Sequence, residues 1–236
     1  MIFDTTQVNW VFVAITVLLS FAILSLIFIF KALKMPKWQV RKLGHMILHL
    51  FVAFFPYFSE NVFDVVVTLI IIVAILFVVS IIPKFSFVQR IIDECTREGE
   101  RKYELILNGF ASAFALLLIF FVFAYRDMVY IYTIAVLAVA LGDGLGEMIG
   151  RPYGRIKYKI FAERSVEGSF FVFFGSFIGV IITFGFSNML PLPGFWWKAI
   201  VIAVVAMLVE AFNYKFIDNT TLVISVAFVT FLLFEL

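Results

Sequence analysis

Apolar runs, each near the length of a bilayer crossing, follow one another along the chain at residues 8–30, 43–58, 62–82, 105–124, 128–149, 169–187, 195–210 and 220–235. A hydrocarbon layer of about 30 Å takes roughly 20 apolar residues at ~1.5 Å rise per residue, so these runs read as spans. The second, seventh and eighth are short and are expected to tilt, to re-enter or to continue into a flanking amphipathic turn, which puts the count at about eight, between seven and nine. Composition agrees: 64% of residues are hydrophobic and only 14% charged, with 32 phenylalanines, too little polar surface to cover a soluble core. Barrel strands would alternate apolar and polar positions and would be shorter. The expected fold class is therefore all-α, a polytopic transmembrane helix bundle forming one domain over residues 1–236. Met1-Ile2-Phe3-Asp4 offers neither a basic n-region nor a small-residue cleavage site, so the first run is expected to persist as a span. Cys95 is the only cysteine, which excludes an intrachain disulfide.

Charge orients the spans. Lys31, Lys34, Lys37, Arg41 and Lys42 follow the first, Lys84, Arg90, Arg97, Arg101 and Lys102 the third, Arg151, Arg155, Lys157, Lys159 and Arg164 the fifth, and Lys215 the seventh. Only Arg126 and Lys198 of the 18 basic residues fall in the other connections. The positive-inside rule makes 31–42, 83–104, 150–168 and 211–219 cytosolic loops and puts both termini outside. The membrane is then the cytoplasmic membrane of a prokaryote or an ER or organelle membrane. A net charge of +2 distributed this way points to anionic lipid head groups and not to nucleic acid. The loop 84–104 mixes apolar residues with charges of both signs, as a helix lying in the interface or a solvated hairpin would.

Chemistry concentrates at the basic face. Asp143 and Glu147 are four residues apart, hence on one helical face, and are expected at the cytosolic end of the fifth span. Two acids there suit a cation, most naturally Mg²⁺ shared with substrate phosphates; solvated acids at a helix end are the plainer reading. Gly142, Gly146, Gly150 and Gly154 recur every fourth residue, a helix-packing stripe in itself. Pro152 and Gly154 are expected to break the helix, after which Arg155, Lys157 and Lys159 alternate and, if extended, point one way to cradle a polyphosphate. There is no Walker loop. Arg164-Ser165-Val166-Glu167-Gly168-Ser169 opens the sixth span, where Ser165 serves as a cap and free amides beside Arg164 would hold an anion. Glu210, Asp218 and Asn219 bracket the connection after the seventh span, and their carboxylates could join a metal clamp on phosphates. Asn219-Thr220-Thr221 also has the form of a glycosylation sequon, discounted because it faces the cytosol. His45 and His49 lie one turn apart on the second span without the acid of an HExxH zinc site, so His45 pairs better with Arg41 and Lys42 for phosphate binding or proton transfer, against plain interfacial anchoring.

Together these residues resemble the CTP-dependent polyprenol and diacylglycerol kinases, which include dolichol kinase and phytol kinase. Arg41-Lys42-Leu43-Gly44-His45 resembles that family's RKxxH element, and Gly142-Asp143-Gly144 through Glu147 to Gly150-Arg151-Pro152-Tyr153-Gly154 its GDGxAD/E…GRxxG block. Residues 164–169 are similar to its KSxxGS element, and Glu210 with Asp218-Asn219 to its terminal E…DN pair, in order over roughly residues 38–230. Gly146 replaces a usual alanine and Arg164 a lysine. The resemblance implies transfer of the CTP γ-phosphate to a membrane lipid alcohol. It implies Mg²⁺ on Asp143, Glu147, Glu210 and Asp218, phosphate contacts from Arg41, Lys42, Gly150, Gly154, Arg155, Lys157, Arg164, Ser165, Gly168, Ser169 and Asn219, and a base among His45, Asp143 and Asp218. The partners are CTP, the lipid alcohol, the bilayer and, for protein, a second copy as a homodimer.

Two other readings stay open. A phosphatidate cytidylyltransferase carries a similar block but ends in a Lys-Asp signature followed by His-Gly-Gly, which this chain lacks. An ion-coupled transporter would use the acids without catalysis and would show paired broken half-helices.

Overall fold

Within an apolar run nothing but the backbone itself can satisfy backbone N–H and C=O groups, so each run closes into a helix. The computed structural model describes residues 1–4, 6–81, 86–96, 101–187, 193–213 and 218–235. The helices are α1 (Trp10–Ala32), α2 (Lys37–Phe54), α3 (Val62–Ile81), α4 (Ser86–Cys95), α5 (Lys102–Ala124), α6 (Val129–Leu137), α7 (Gly144–Tyr153), α8 (Val166–Phe186), α9 (Phe195–Ala211) and α10 (Asp218–Glu235). Between α6 and α7 a π-helical segment, Ala138–Asp143, makes one continuous helix of the three. α1, α5, the continuous helix and α8 are long and apolar enough to cross a membrane, which marks a membrane protein. Val62–Val78 and Asn219–Glu235 are shorter apolar helices. Among the described residues the one sheet is an antiparallel hairpin, β1 (Lys157–Lys159) with β2 (Glu163–Ser165), an element that an all-α expectation omits.

The chain divides into two compact units, Met1–Asp127 and Met128–Leu236. In the first, α1 packs on α2 and α3, and α3 on α5. Of the two readings for 84–104, α4 takes the helical one over Ser86–Cys95, while residues 84, 85 and 97–100 lie outside the described residues. Its Ile91 joins Ile27 and Val40 in a core, while Glu94 pairs with Lys31 and Asp93 with Lys102. A polar knot ties the segment before α1 to the start of α3. The buried Asp64 carboxylate accepts from Asn9 N (2.8 Å) and the Ser59 hydroxyl (2.6 Å), and Asn61 Nδ2 donates to the Asp4 carbonyl (2.8 Å).

The loop expected at 31–42 is only four residues long, because α1 runs on to Ala32 and α2 begins at Lys37. Lys34 adopts φ 57° and Met35 N reaches back to Phe30 O at 3.3 Å, closing α1 as a Schellman turn before Pro36 starts the next helix. Charged residues had marked this stretch as loop, yet helix propensity does not exclude lysine or arginine.

In the second unit α8 is central. The α6–α7 helix, α9 and β2 all pack on it, and α10 lies against α6 and α9. The fourfold glycine period accounts for the closest approach. A Cβ on Gly146 would stand 2.4 Å from a Val172 methyl, one on Gly150 2.7 Å from Gly168 Cα, and one on Gly175 2.3 Å from Leu141 O. Absence of side chains on both helices brings the backbones together, the small-residue packing read from the sequence.

Candidate functional site

Asp143 ends the π-helical segment and is 7% exposed. The helix continues past it, as the run at 128–149 and the break at Pro152 and Gly154 had indicated. α7 carries it ten residues further, with Pro152 accommodated in the last turn and Gly154 ending it. Proline lacks an N–H and clashes with the preceding turn, but a final turn has little helix left to disturb. Gly142, the neighbour of Asp143, abuts Ser176 of α8, and Ser176 lies eleven residues beyond Ser165, about 16 Å along the helix axis. Asp143 is thus a buried carboxylate one residue from the point where the π-helical segment meets α8. Glu147 occupies the next turn, partly exposed, with Arg151 Nη1 3.9 Å away.

The hairpin sorts the cations. Tyr158 pairs with Arg164 in register, so both side chains share one face, while Lys157, Lys159 and Glu163 take the other, together with Ser165, which is buried where the strand meets α8. The inner face packs on the unit: the Tyr158 hydroxyl lies 2.5 Å from Ser169 Oγ, and Arg164 Nη2 donates to Glu210 Oε1 at 2.7 Å. Lys157 and Lys159 are exposed on the outer face, alternating as read from the sequence, and Arg155 is exposed before them. Lys157 and Arg164 therefore stand on opposite faces of the hairpin.

Ser165 caps α8 as its sequence indicates, accepting from Gly168 N at 3.1 Å, and is itself buried. The free amides expected at this terminus are corrected by the hairpin. Val166 N already donates to Ile156 O (3.0 Å), Gly168 N to Ser165, and Glu167 adds a carboxylate in the first turn. The dipole is answered from within the chain. Gly150 and Gly154 face Gly168 and Ser165 at packing distance, and Ser169 is held by Tyr158.

At the end of α9 the pairing of Arg164 with Glu210 joins two elements that lie 46 positions apart. Beyond it, Asn213 is 6% exposed and accepts from the Thr221 hydroxyl at 2.7 Å, bridging to the first turn of α10, where Asn219 is placed. The side chain of Asp218, like Lys84, Arg97 and Lys215, lies outside the described residues.

Arg41, Lys42 and His45 belong to the first unit and sit within α2 and not in a loop. Lys42 is 1% exposed, unusual for a lysine. The His45 and His49 rings lie 4.0 Å apart, and His49 Nδ1–H donates to the His45 carbonyl at 2.9 Å, which fixes that tautomer. Among the described residues no three His, Cys, Asp or Glu side chains assemble as a metal site. A self-contained cage is thus not present among them, whereas Asp143 with Glu147 suits a hard cation that takes one or two carboxylates and completes its shell with phosphate and water.

Comparisons with protein-family models, curated proteins and solved structures find no match. Function must be read from the residues and their geometry. Tyr158, Ser176 and Asn213 are the polar groups of this region that sequence reasoning missed. Ser176 and Asn213 carry no signal beyond being polar in or beside an apolar run. Tyr158 had one, the alternation that places it opposite the lysines.

Proposed function

We propose that the protein is a membrane-embedded lipid-alcohol kinase that transfers the CTP γ-phosphate to the hydroxyl of a polyprenol, a phytol-like isoprenoid alcohol or diacylglycerol. The observation that carries this reading is the contact of Arg164 with Glu210, because it unites the third and fourth elements of the kinase resemblance at one place in the second unit. The second element is adjacent, through the packing of Gly150 and Gly154 on Gly168 and Ser165. In the same reading the apolar helices make about eight spans, the basic connections face the cytosol, and both termini are outside.

Phosphoryl transfer asks a protein mainly to position the groups and to neutralise charge. Arg164, 28% exposed in its side chain, offers a planar two-pronged donor to phosphate oxygens. Lys157 and Lys159, on the outer face, raise the local concentration of a nucleotide polyanion without touching the reacting group. The resemblance assigns further phosphate contacts to Arg41 and Lys42, and proton removal to His45, Asp143 or Asp218. Mg²⁺, when bound through Asp143 and Glu147 with Glu210 or Asp218, would offset the charge on the transferring phosphoryl group.

Purified protein given Mg²⁺, labelled CTP and a panel of lipid alcohols is expected to yield CDP and a phosphorylated lipid. Asp143→Asn should abolish turnover in a protein that still elutes as a folded species. Release of pyrophosphate with a CDP-lipid would replace the kinase by a cytidylyltransferase, and no product from any acceptor or nucleotide would end the enzymatic reading.

A further inference from the structure

α8 holds 21 residues and is long and apolar enough to cross a membrane. At ~1.5 Å rise it spans about 31 Å, the thickness of a ~30 Å hydrocarbon layer, so Val166 at its start comes to the layer's boundary. The hairpin directly before Val166 therefore falls in the head-group zone. Contacts at its base and on its inner face hold it against the helix ends. Val166 N donates to Ile156 O (3.0 Å), and Ile156 N to both Glu167 carboxylate oxygens (3.3 Å each). Tyr158 meets Ser169 in the first turn of α8, and Arg164 meets Glu210 in the last turn of α9. The strands have three residues each, about 10 Å, so no part of the hairpin lies far from that zone.

What the hairpin leaves exposed is amphipathic. Its turn carries Ile160, 43% exposed, and Phe161, 59% exposed. Lys157 and Lys159 are exposed on the outer face, and Arg155 is exposed before them. Glu163, the cross-strand partner of Lys159, offsets one of these charges and leaves the patch net cationic. A large apolar turn beside a cationic face suits the boundary between acyl chains and phosphates better than it suits water.

We propose that this hairpin is a membrane-docking element, in which Ile160 and Phe161 enter the acyl-chain boundary while Arg155, Lys157 and Lys159 take the phosphates of anionic phospholipids. The proposal goes beyond the kinase reading and does not rest on it. Its occupant is the bilayer surface, not a soluble polyanion. Tyr158 and Arg164 belong to the same hairpin, so a bilayer that holds the turn also steadies their contacts with α8 and α9. At roughly fivefold for each lysine near a charged surface, Lys157 and Lys159 give anionic membranes a docking advantage of about 25-fold.

The test uses the full chain with Cys95→Ala and Ile160→Cys, nitroxide-labelled at position 160 and reconstituted without nucleotide. Collisions of the label with oxygen, which concentrates in the acyl chains, are compared with collisions with a neutral, water-soluble nickel chelate. In phosphatidylcholine vesicles with about one-third phosphatidylglycerol the label should favour oxygen, and in phosphatidylcholine alone that preference should fall at least about twofold. Lys157→Gln with Lys159→Gln should erase the difference between the two membranes, and Phe161→Ser should move the label toward water in both. If the label at 160 prevents folding, Phe161→Cys carries it instead and the same lipid dependence is expected.

A label equally open to water in both membranes overturns docking. A lipid dependence that survives the double lysine variant overturns the assignment of those cations to head groups. Inorganic triphosphate added to the phosphatidylcholine vesicles should leave the label where it is; if it reproduces the effect of phosphatidylglycerol, the cations take a soluble polyanion and the bilayer is not their partner.

Discussion

Replacing Gly175 by alanine tests the helix pair on which the second unit is built. The new Cβ would lie 2.3 Å from Leu141 O, 2.6 Å from Leu141 C and 2.9 Å from Gly142 N, all of them backbone atoms that cannot rotate aside. Ordinary contact begins at 3.4 Å, so α8 must withdraw from the π-helical segment by about 1 Å. A gap of that size forfeits a quarter to a half of the dispersion energy of every contact along the seam. Overpacking costs typically run at ~1–3 kcal/mol, and an obstruction by rigid backbone belongs at the upper end, near ~3 kcal/mol. For a chain of this length that lowers the unfolding midpoint by about 6–12 °C. Gly109→Ala on α5 is the internal control, because a Cβ there meets nothing within 4 Å, and losing a helical glycine is neutral or favourable by ~1 kcal/mol. Thermal unfolding of both variants in one detergent decides the matter. If Gly175→Ala unfolds within about 2 °C of Gly109→Ala, close backbone packing is not what the glycines supply.

Ser165→Ala removes the cap of α8 and is expected to cost ~1 kcal/mol, seen as earlier hydrogen exchange at Gly168 N than in the native protein, with the other end of α8 unaffected. Asp64→Ala leaves Asn9 N and the Ser59 hydroxyl without their acceptor and should destabilise the first unit by roughly 2–4 kcal/mol; proteolysis should then begin in the segment before α1.

Helices were legible because a span-length apolar run admits little else, and the observed α3, α9 and α10 lie within two residues of the runs at 62–82, 195–210 and 220–235. Their ends were less so wherever a charged residue carried the inference. Arg41 and Lys42 read as loop but lie in α2, whereas the break expected from Pro152 and Gly154 falls as read, with Pro152 inside the last turn and Gly154 ending it. Alternation in 155–159 left an extended path open, and Lys157–Lys159 takes it with both lysines exposed. Its antiparallel partner, and hence the turning of Arg164 inward, depends on pairing across the Ile160–Ala162 turn, to which residue type gives no clue. The pairing of Arg164 with Glu210 was beyond reach for a similar reason. Sequence order brought both to one predicted side of the membrane, but only the packing of α9 on α8 sets them at bonding distance. Asn213 and Ser176 escaped notice because a small polar residue in an apolar context has no period to betray its partner.

The π-helical segment sets a phase. Each residue advances a helix by about 100°, and the wide turn at Ala138–Asp143 accommodates one residue more than an α-helical path would. Upstream of it, α6 is buried on every side; downstream, α7 must aim a single row of glycines at α8. A chain shortened by one residue here would still be a long, apolar helix, indistinguishable by hydropathy. It would lose the wide turn and keep Gly146 and Gly150 on the seam, whereas one residue removed between them in α7 would turn Gly150 off it by more than a quarter of a revolution and present a side chain where α8 has room only for hydrogen. Length and hydrophobicity, the properties by which a bilayer selects a span, are blind to that difference. Rotational setting is what an aligned pair of helices would have to inherit unchanged, and a single-residue deletion between Gly146 and Gly150 should be tolerated far less well than one within Ala138–Asp143.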